Sequence, residues 1–276
     1  MTLTRPMRAA QSVPNPEACL RPPAGRAGKQ ASGPDAASQR IIVALDVPTK
    51  AEALRLVRQL SGGVGMFKVG SPLFTAAGPS FVRALVELGE RVFLDLKFHD
   101  IPHVVAAACV QAAALGVSLV DVHAAGGPQM LRAARQALDR HVPAGRRPRL
   151  LAVTLLTSLA QRELKAIGWK GTVQQNVIRL ARLAQRAGCD GVVAAPTDVA
   201  AIRCVPKLRD KDFLIVTPGI RLPGRKKLAG QARVATPAAA LRAGADYIVI
   251  GRALTQARNP LHILHRLTEH LSQALP

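Results

Sequence analysis

Short apolar runs alternate with longer amphipathic segments from residue 41 to the end of the chain. The runs are mostly aliphatic, and the segments between them are rich in Ala, Leu and Arg. This alternation is typical of a parallel sheet whose buried strands are covered by helices. The predicted strands are Ile41–Asp46, Met66–Gly70, Val92–Lys97, Leu119–Ala124, Leu150–Leu155, Gly191–Ala195, Phe213–Pro218 and Tyr247–Gly251.

Most intervals between these runs leave room for one helix and two short loops. Eight such strands fit an α/β fold of the closed (β/α)8 TIM-barrel type better than an open doubly wound sheet. The longer interval after the fifth run contains Ser158–Gly171, with the only Trp of the chain, and predicts an extra helix or loop at the barrel mouth. No G-x-G-x-x-G follows a strand, so a dinucleotide-binding fingerprint is missing. We predict one barrel domain over residues 41–276.

Residues 1–40 have a different composition, with six prolines, three glycines, three serines and no apolar periodicity. Such a segment buries too little surface to offset its chain entropy, so we predict a disordered N-terminal extension. Six basic and two acidic residues give it a net charge of +4, as in a transit peptide. Its prolines would break the helix that a transit peptide needs, and a dispensable tail, or a start at Met7, is the simpler interpretation.

The whole chain carries a formal charge of +21, which raises the question of nucleic-acid binding. Only 3% of the residues are aromatic, which leaves few platforms for base stacking. The basic residues are scattered over predicted helices and loops instead of forming one dense run. We therefore expect no nucleic-acid partner, and a basic surface that steers anionic substrates inward.

The apolar runs and the cysteines both favour a cytoplasmic protein. No uncharged apolar run approaches the roughly 20 residues of a membrane-spanning helix, so no membrane partner is expected. The four cysteines, Cys19, Cys109, Cys189 and Cys204, contain no C-x-x-C pair. Reduced thiols are the default expectation for a chain of this size.

Charged and polar residues occur at or near the ends of four successive predicted strands. Asp46 ends the first, Lys68 lies in the second, Asp95 and Lys97 end the third, and His123 lies at the end of the fourth. One such residue could belong to a structural ion pair, but five at corresponding positions are hard to explain by packing, because an unpaired buried charge costs several kcal/mol. Barrel active sites are built at the carboxyl ends of the strands, which is where these residues are predicted to lie.

The third strand carries the strongest signal. Side chains alternate across a strand, so Asp95 and Lys97 should share the barrel interior while Leu96 faces the helices. Asp100 lies just beyond the strand, and Pro102 suits the first turn of the next helix. We therefore place Asp100 on an active-site loop.

Residues 95–102 resemble the D-L-K-x-H-D-I-P signature of the orotidine 5'-phosphate decarboxylase family. The wider superfamily of phosphosugar decarboxylases and aldolases shares only Asp-x-Lys-x-x-Asp, so the continuation His99-Asp100-Ile101-Pro102 distinguishes the orotidylate enzymes. The resemblance covers the chain from about Ile41 to Pro260. Further matches are Ala44–Asp46, Phe67–Gly70, Val122–Gly127, Ala152–Ser158, Val216–Arg221, Gln231, Arg233–Pro237 and Val249–Arg252.

The resemblance implies decarboxylation of orotidine 5'-monophosphate to UMP in de novo pyrimidine biosynthesis, with no cofactor and no metal. Lys97 would protonate the C6 carbanion, and Asp95 would lie near the departing carboxylate. Lys68 and Asp100 would complete an alternating charge network. In the family this second aspartate comes from the neighbouring subunit, which implies an obligate homodimer with shared active sites.

The resemblance also implies a set of substrate-binding residues. The phosphate would be held by Gly251 and Arg252, which follow the eighth strand, the standard phosphate-binding position of this barrel. Arg221 and Gln231 would bind the same phosphate. Asp46 and Lys68 would hold the ribose hydroxyls, and the Thr157 region would meet the base. The full implied set is Asp46, Lys68, Asp95, His123, Thr157, Arg221, Gln231, Gly251 and Arg252.

Several positions depart from the usual family pattern. His103 and Val104 replace a common Asn-Thr pair, which removes a hydroxyl expected to contact the ribose. Ala195 stands where Ser is often found, Gly230 where Asp is frequent, and Ser71-Pro72 replaces a more typical pair. The departures affect expected substrate affinity more than the type of reaction.

Two other functions stay open at this point. One is a metal-dependent phosphosugar decarboxylase or aldolase of the same superfamily, for which His99, His103 and His123 could be metal ligands, although the first two lack a clear third partner. The other is a barrel with an RNA-binding or regulatory role and a silent site. The intact Asp95, Lys97 and Asp100 argue against a silent site.

Overall fold

The computed structural model describes residues 34–222 and 233–274, and within these residues the strands form a closed eight-stranded barrel. Neighbouring strands pair in parallel and in sequence order, and β8 pairs with β1 to close the sheet. The predicted (β/α)8 barrel is confirmed. The strands are β1 (Ile41–Ala44), β2 (Met66–Gly70), β3 (Val92–Phe98), β4 (Leu119–His123), β5 (Arg149–Val153), β6 (Gly191–Val193), β7 (Leu214–Thr217) and β8 (Tyr247–Ile250).

At least one helix follows each strand, and these helices cover the outside of the barrel. Several begin where the sequence supplies a cap: the Thr49 hydroxyl accepts the Glu52 amide, and the Thr172 hydroxyl accepts the Gln175 amide. The helices are α1 (Pro34–Ser38), α2 (Lys50–Leu60), α3 (Ser71–Glu87), α4 (Pro102–Ala114), α5 (Gly127–His141), α6 (Gln161–Ala166), α7 (Val173–Arg186), α8 (Val199–Arg203), α9 (Pro237–Arg242), α10 (Arg252–Thr255) and α11 (Pro260–Ala274).

Side-chain alternation along the strands divides the core into two layers. In β1, Ile41 and Val43 pack outward against the helices, whereas Ile42 and Ala44 pack inside the barrel. The inner layer consists of strand residues with this second parity: Ile42, Ala44, Met66, Phe93, Leu119, Leu151, Val153, Val193, Val216 and Val249. Asp46, Lys68 and Asp95, two positions beyond Ala44, Met66 and Phe93, therefore point into the mouth of the barrel above this apolar layer.

The predicted strands correspond closely to those in the structure, with differences at their ends. β2 has the predicted bounds and β3 extends one residue further, to Phe98. Other strands end earlier than predicted, so Asp46 and Gly251 lie in the loops just beyond β1 and β8. The extra helix expected within Ser158–Gly171 is α6, and α4 begins at Pro102 as predicted.

The predicted extension, residues 1–40, falls mostly outside the described residues, and the division of the chain at residue 40 stays a prediction. Its last part forms α1, which packs against α11. Within the described ranges, no helix combines the length and apolar character needed to cross a bilayer. Cys109 and Cys189 are buried free thiols, as expected.

Candidate active site

A cavity of about 340 Å³ lies at the carboxyl ends of the strands. Its floor includes the inner-layer residues Phe93, Val153, Val193 and Val249. Small-molecule sites typically occupy about 300–1,000 Å³ and combine apolar walls with a few polar groups. Eight of the residues singled out in the sequence line this cavity: Asp46, Lys68, Asp95, Lys97, Thr157, Arg221, Gly251 and Arg252.

Four of these residues form a chain of alternating charge across the first three strands. The Lys68 ammonium lies 3.0 Å from Asp46 Oδ1 and 3.1 Å from Asp95 Oδ2. Lys97 pairs with the other oxygen, Asp95 Oδ1. Asp95 is therefore held between two lysines, and both of its carboxylate oxygens are occupied.

Burial and charge act in opposite directions on this network. Burial disfavours the ionised form of Asp95, but the positive charges of Lys68 and Lys97 outweigh it and lower the pKa of Asp95 to about 2. Burial likewise disfavours the charged form of Lys68, but Asp95 and Asp46 raise the pKa of its ammonium group above the ordinary value. Lys68 and Asp95 are therefore both charged at neutral pH.

An irregularity in β3 sets the position of Lys97. The pairing of β3 with β4 shifts between Leu94 and Phe98, where β3 advances four residues and β4 only two. Lys97 adopts a left-handed backbone conformation with φ of +50°, which is uncommon for a residue other than glycine. Strained backbone of this kind persists only where the surrounding structure holds it, and it is concentrated at functional sites.

Two residues that support this geometry were missed in the sequence. Asp121 Oδ1 accepts a 2.8 Å hydrogen bond from the Lys97 amide, at the bulge itself. Gly70 ends β2, and a Cβ atom there would lie 2.9 Å from the Lys68 ammonium and 3.2 Å from Asp46 Oδ1. The strand alternation that placed Asp95 inward could have found Asp121, which has the same parity as His123. The contact at Gly70 had no sequence signal beyond the glycine itself.

Two arginines line the cavity at the ends of β7 and β8. Arg252 begins the short helix α10 directly after β8, and Arg221 follows β7. Guanidinium groups bind phosphate oxygens with paired hydrogen bonds, so this side of the cavity suits a phosphate group. Gln231, predicted to act with them, lies outside the described residues.

The loop after β5 brings Thr157 to the cavity, and a buried arginine fixes this loop. Arg233 forms an ion pair with the buried Asp198, next to β6. It also donates to the Leu156 carbonyl at 3.0 Å and to the Leu155 carbonyl at 3.4 Å. Arg233 therefore ties the segment that follows residue 232 to the loops after β5 and β6.

Asp100 and His123 do not line the cavity in this chain. Asp100 is exposed beyond the end of β3, and its Oδ1 accepts the Ile101 amide at 2.6 Å. The His123 ring packs at 5.2 Å from the His99 ring, and burial together with His99 and Lys97 lowers the pKa of His123. Among the described residues, no group of three or more His, Cys, Asp or Glu side chains is arranged to hold a metal ion.

Comparison with known proteins assigns the barrel to a family. A family model described as "Orotidine 5'-phosphate decarboxylase / HUMPS family" matches residues 39–267. The chain belongs to this family. Among similar curated proteins, the orotidine 5'-phosphate decarboxylase of Nitrosomonas europaea is 51% identical over 236 residues, covering 86% of this chain and 98% of the relative. That of Trichlorobacter lovleyi is 48% identical over 239 residues, covering 86% and 97%.

Solved structures are also similar to the barrel. The orotidine 5'-phosphate decarboxylase of Lactobacillus acidophilus has a TM-score of 0.71 and 36% identity, over 84% of this chain and 98% of that one. An uncharacterised conserved protein of Geobacillus kaustophilus has a TM-score of 0.72 and 41% identity, over 84% and 99%.

Three of the departures from the usual family pattern, His103, Val104 and Ala195, do not line the cavity. His103 and Val104 are exposed on the first turn of α4, and neither lines the cavity. Ala195 is buried after β6 beside the cavity-lining Ala194. Gly230 lies outside the described residues. The structure therefore brings the four charges of the network together and leaves His103, Val104 and Ala195 outside the cavity lining of this chain.

Proposed function

We propose that the chain is a cofactor-independent orotidine 5'-phosphate decarboxylase that converts orotidine 5'-monophosphate to UMP and CO2 in pyrimidine biosynthesis. The observation that carries the proposal is the alternating network Asp46, Lys68, Asp95 and Lys97, which lines one cavity together with two arginines. The substrate has a matching division, with a phosphate dianion at one end and a pyrimidine carboxylate at the other. The family membership and the names of its relatives support the same reaction.

The two ends of the cavity would take different parts of the substrate. Arg221 and Arg252, with Gln231 and the Gly251 backbone, would bind the phosphate. Asp46 and Lys68 would bind the ribose hydroxyls, and Thr157 and His123 would complete the base end. Binding energy from the remote phosphate would hold the pyrimidine against the charge network. This binding energy would then lower the activation barrier of decarboxylation instead of only improving substrate affinity.

The chemical step needs charge stabilisation at one carbon and then one proton. The bond between C6 and the carboxylate breaks, the electron pair stays on C6, and CO2 leaves. The Lys97 ammonium stabilises the developing carbanion and then donates a proton to C6, which gives UMP and a neutral lysine that regains its proton from solvent. Asp95 holds the Lys97 ammonium in place and lies beside the departing group.

A homodimer with shared active sites is part of the proposal. Asp100 is exposed at the rim, with the exposed apolar residues Ile101 and Val104 close to it in sequence. A second copy packed on this rim would bury that apolar surface and bring its own Asp100 to the lysines of the first. We propose a cytoplasmic enzyme, in keeping with its small anionic substrate.

The test is the absorbance loss on mixing purified protein with orotidine 5'-monophosphate in the presence of EDTA, with Lys97→Ala in parallel. Turnover should persist with EDTA and fall by at least about 100-fold in the variant, because a positioned proton donor typically contributes 10²–10⁴-fold. Lys207→Ala is the matched control, because Lys207 is an exposed lysine in the turn before β7, at the other end of the barrel. Turnover that EDTA abolishes would instead favour a metal-dependent phosphosugar enzyme of this superfamily.

A further inference from the structure

Asp121 is a carboxyl group buried one layer below the active site. It lies on the inner face of β4 and has no solvent exposure, and its neighbours Val120 and Val122 pack outward against the helices. Across the sheet it is in register with Leu151, a member of the apolar inner layer. An ionised carboxylate in such surroundings costs several kcal/mol unless it is paired.

Only one of the two oxygens of the Asp121 carboxyl group has a hydrogen-bond donor among the described residues. Oδ1 accepts the Lys97 amide at 2.8 Å, whereas Oδ2 is buried without any donor among the described residues. The Asp95 carboxylate is close enough for its negative charge to raise the pKa of Asp121. Two carboxylates offer only acceptors to each other, so Asp121 and Asp95 can share a hydrogen bond only if one of them carries a proton.

The charges around the pair indicate which aspartate carries that proton. Both oxygens of Asp95 already contact lysine ammonium groups, and the two lysines are balanced by Asp95 and Asp46. An ionised Asp121 would add an uncompensated negative charge in the buried layer. Burial and the negative charge of Asp95 both raise the pKa of Asp121, whereas the pKa of Asp95 is lowered to about 2.

We propose that Asp121 is a positioning residue that acts as a neutral carboxylic acid: Oδ1 accepts the Lys97 amide, and Oδ2 donates a proton to the Asp95 carboxylate. The first bond holds the bulge in β3 that gives Lys97 its left-handed backbone. The second fixes the Asp95 carboxylate between Lys68 and Lys97. Asp121 thereby aims the proposed proton donor without touching the substrate.

Two substitutions of similar size test the positioning role. Asparagine can still accept the Lys97 amide and can donate from Nδ2 to Asp95, whereas leucine can do neither. Because this arm rests on the proposed decarboxylase function, it is measured as kcat and KM for orotidine 5'-monophosphate. We expect Asp121→Leu to lower kcat by about 10–100-fold with a smaller change in KM, since a hydrogen bond to a charged group is typically worth that factor.

The asparagine variant decides between the two protonation states. We expect Asp121→Asn to recover most of the activity that Asp121→Leu loses, because it reproduces both hydrogen bonds of the neutral acid. Equal losses in the two variants would mean that the negative charge is required and would overturn the proposal. Full kcat in a folded Asp121→Leu protein would show that the residue has no positioning role.

A second measurement needs no substrate, so its result is independent of the proposed reaction. The charged groups that act on Asp121 are Asp95 and Lys97 on β3. Cys109 on α4 is neutral, because burial raises the pKa of its thiol to about 12. A carboxyl that is protonated in the fold and ionised when unfolded loses stability as pH rises above about 3.9. Asparagine removes that loss.

The Tm of Asp121→Asn minus the Tm of the unsubstituted protein should therefore become more positive between about pH 4 and pH 7. A difference that stays constant, or that becomes more negative as pH rises, would show an ionised Asp121 and overturn the neutral acid. If this difference follows the expectation while no decarboxylation is detected, the proposed function fails and the protonation state of Asp121 stands.

Discussion

Two charge clusters lie at opposite ends of the same barrel, and they are built differently. At the amino-terminal end of the strands, Arg203 pairs with Asp246 at 2.6 Å, and Arg40 donates to the Ala245 and Asp246 carbonyls. Arg203 also donates to four backbone carbonyls, those of Gly244 at 3.0 Å, Leu208 at 2.8 Å, Asp210 at 3.2 Å and Phe213 at 2.9 Å. At the carboxyl-terminal end, the described partners of the Lys68 and Lys97 ammonium groups are carboxylates alone.

The two clusters differ in whether their cationic side chains keep hydrogen-bond donors that a ligand could use. The planar guanidinium of Arg203 is occupied by fixed backbone acceptors and a carboxylate, so this cluster joins α8 to the start of β8 and stabilises the fold. The lysines of the other cluster face a cavity, and each ammonium group has donors beyond those used by its carboxylate partners. Similar chemical groups therefore serve folding at one end and a substrate at the other.

The largest expected effect is on activity, at the cavity end. Lys68→Met should lower kcat/KM for orotidine 5'-monophosphate by about 1,000-fold, because it removes a preorganised charge from the site. Its Tm should fall less than that of a variant at the other end, because Asp95 keeps Lys97 as a partner and Asp46 is half exposed. Steady-state kinetics and calorimetry on the same preparation measure both quantities, with the exposed Lys207→Met as control. A large fall in Tm with unchanged kcat/KM would reverse the assignment of the two clusters.

At the opposite end, the next effect is on stability. Arg203→Met removes the guanidinium from Asp246, which keeps only the Ile215 amide, and from four backbone carbonyls. Breaking a largely buried pair in this way costs about 3–5 kcal/mol. We expect the Tm to fall by roughly 10 °C for a domain of this size, with kcat per folded molecule unchanged. Arg242→Met, an exposed arginine at the end of α9, is the matched control. A loss of kcat without a change in Tm would contradict a purely structural role for Arg203.

The barrel could be predicted from the sequence because its signals are local. Each strand is a short apolar run, and each interval has the length and composition of a helix, so the number and order of elements follow from periodicity. That Asp95 and Lys97 line one cavity could also be predicted, because the carboxyl ends of all eight strands converge on one mouth. Their placement required no knowledge of which side chains pair.

The features that were missed depend on contacts between distant segments. Alternation assumes a regular strand, and the bulge that gives Lys97 its positive φ arises from the pairing of β3 with β4. Asp121 is one carboxyl in an apolar run, and its role appears only when that run is placed beside Lys97. The pair Arg233 and Asp198 joins residues 35 positions apart. Asp100 is exposed in a single chain, so its proposed role needs a second copy that one sequence does not contain.

The smallest expected effect is on the acid side of the stability profile, where Asp95 should be visible. Its pKa is lowered to about 2, so the folded protein binds fewer protons there than the unfolded chain, and the stability that Asp95 contributes is present above about pH 4 and lost as pH falls toward 2. The contribution is about 2 kcal/mol, from 1.36 kcal/mol per pKa unit. Asp95→Asn lacks it, so the difference in urea midpoint between the unsubstituted protein and the variant should shrink as pH is lowered from about 5 to about 2. The exposed Asp212→Asn corrects for the loss of one surface charge. A difference that grows toward low pH would mean that Asp95 is protonated in the fold, and the cavity cluster would then lack the central charge on which the contrast between the two ends depends.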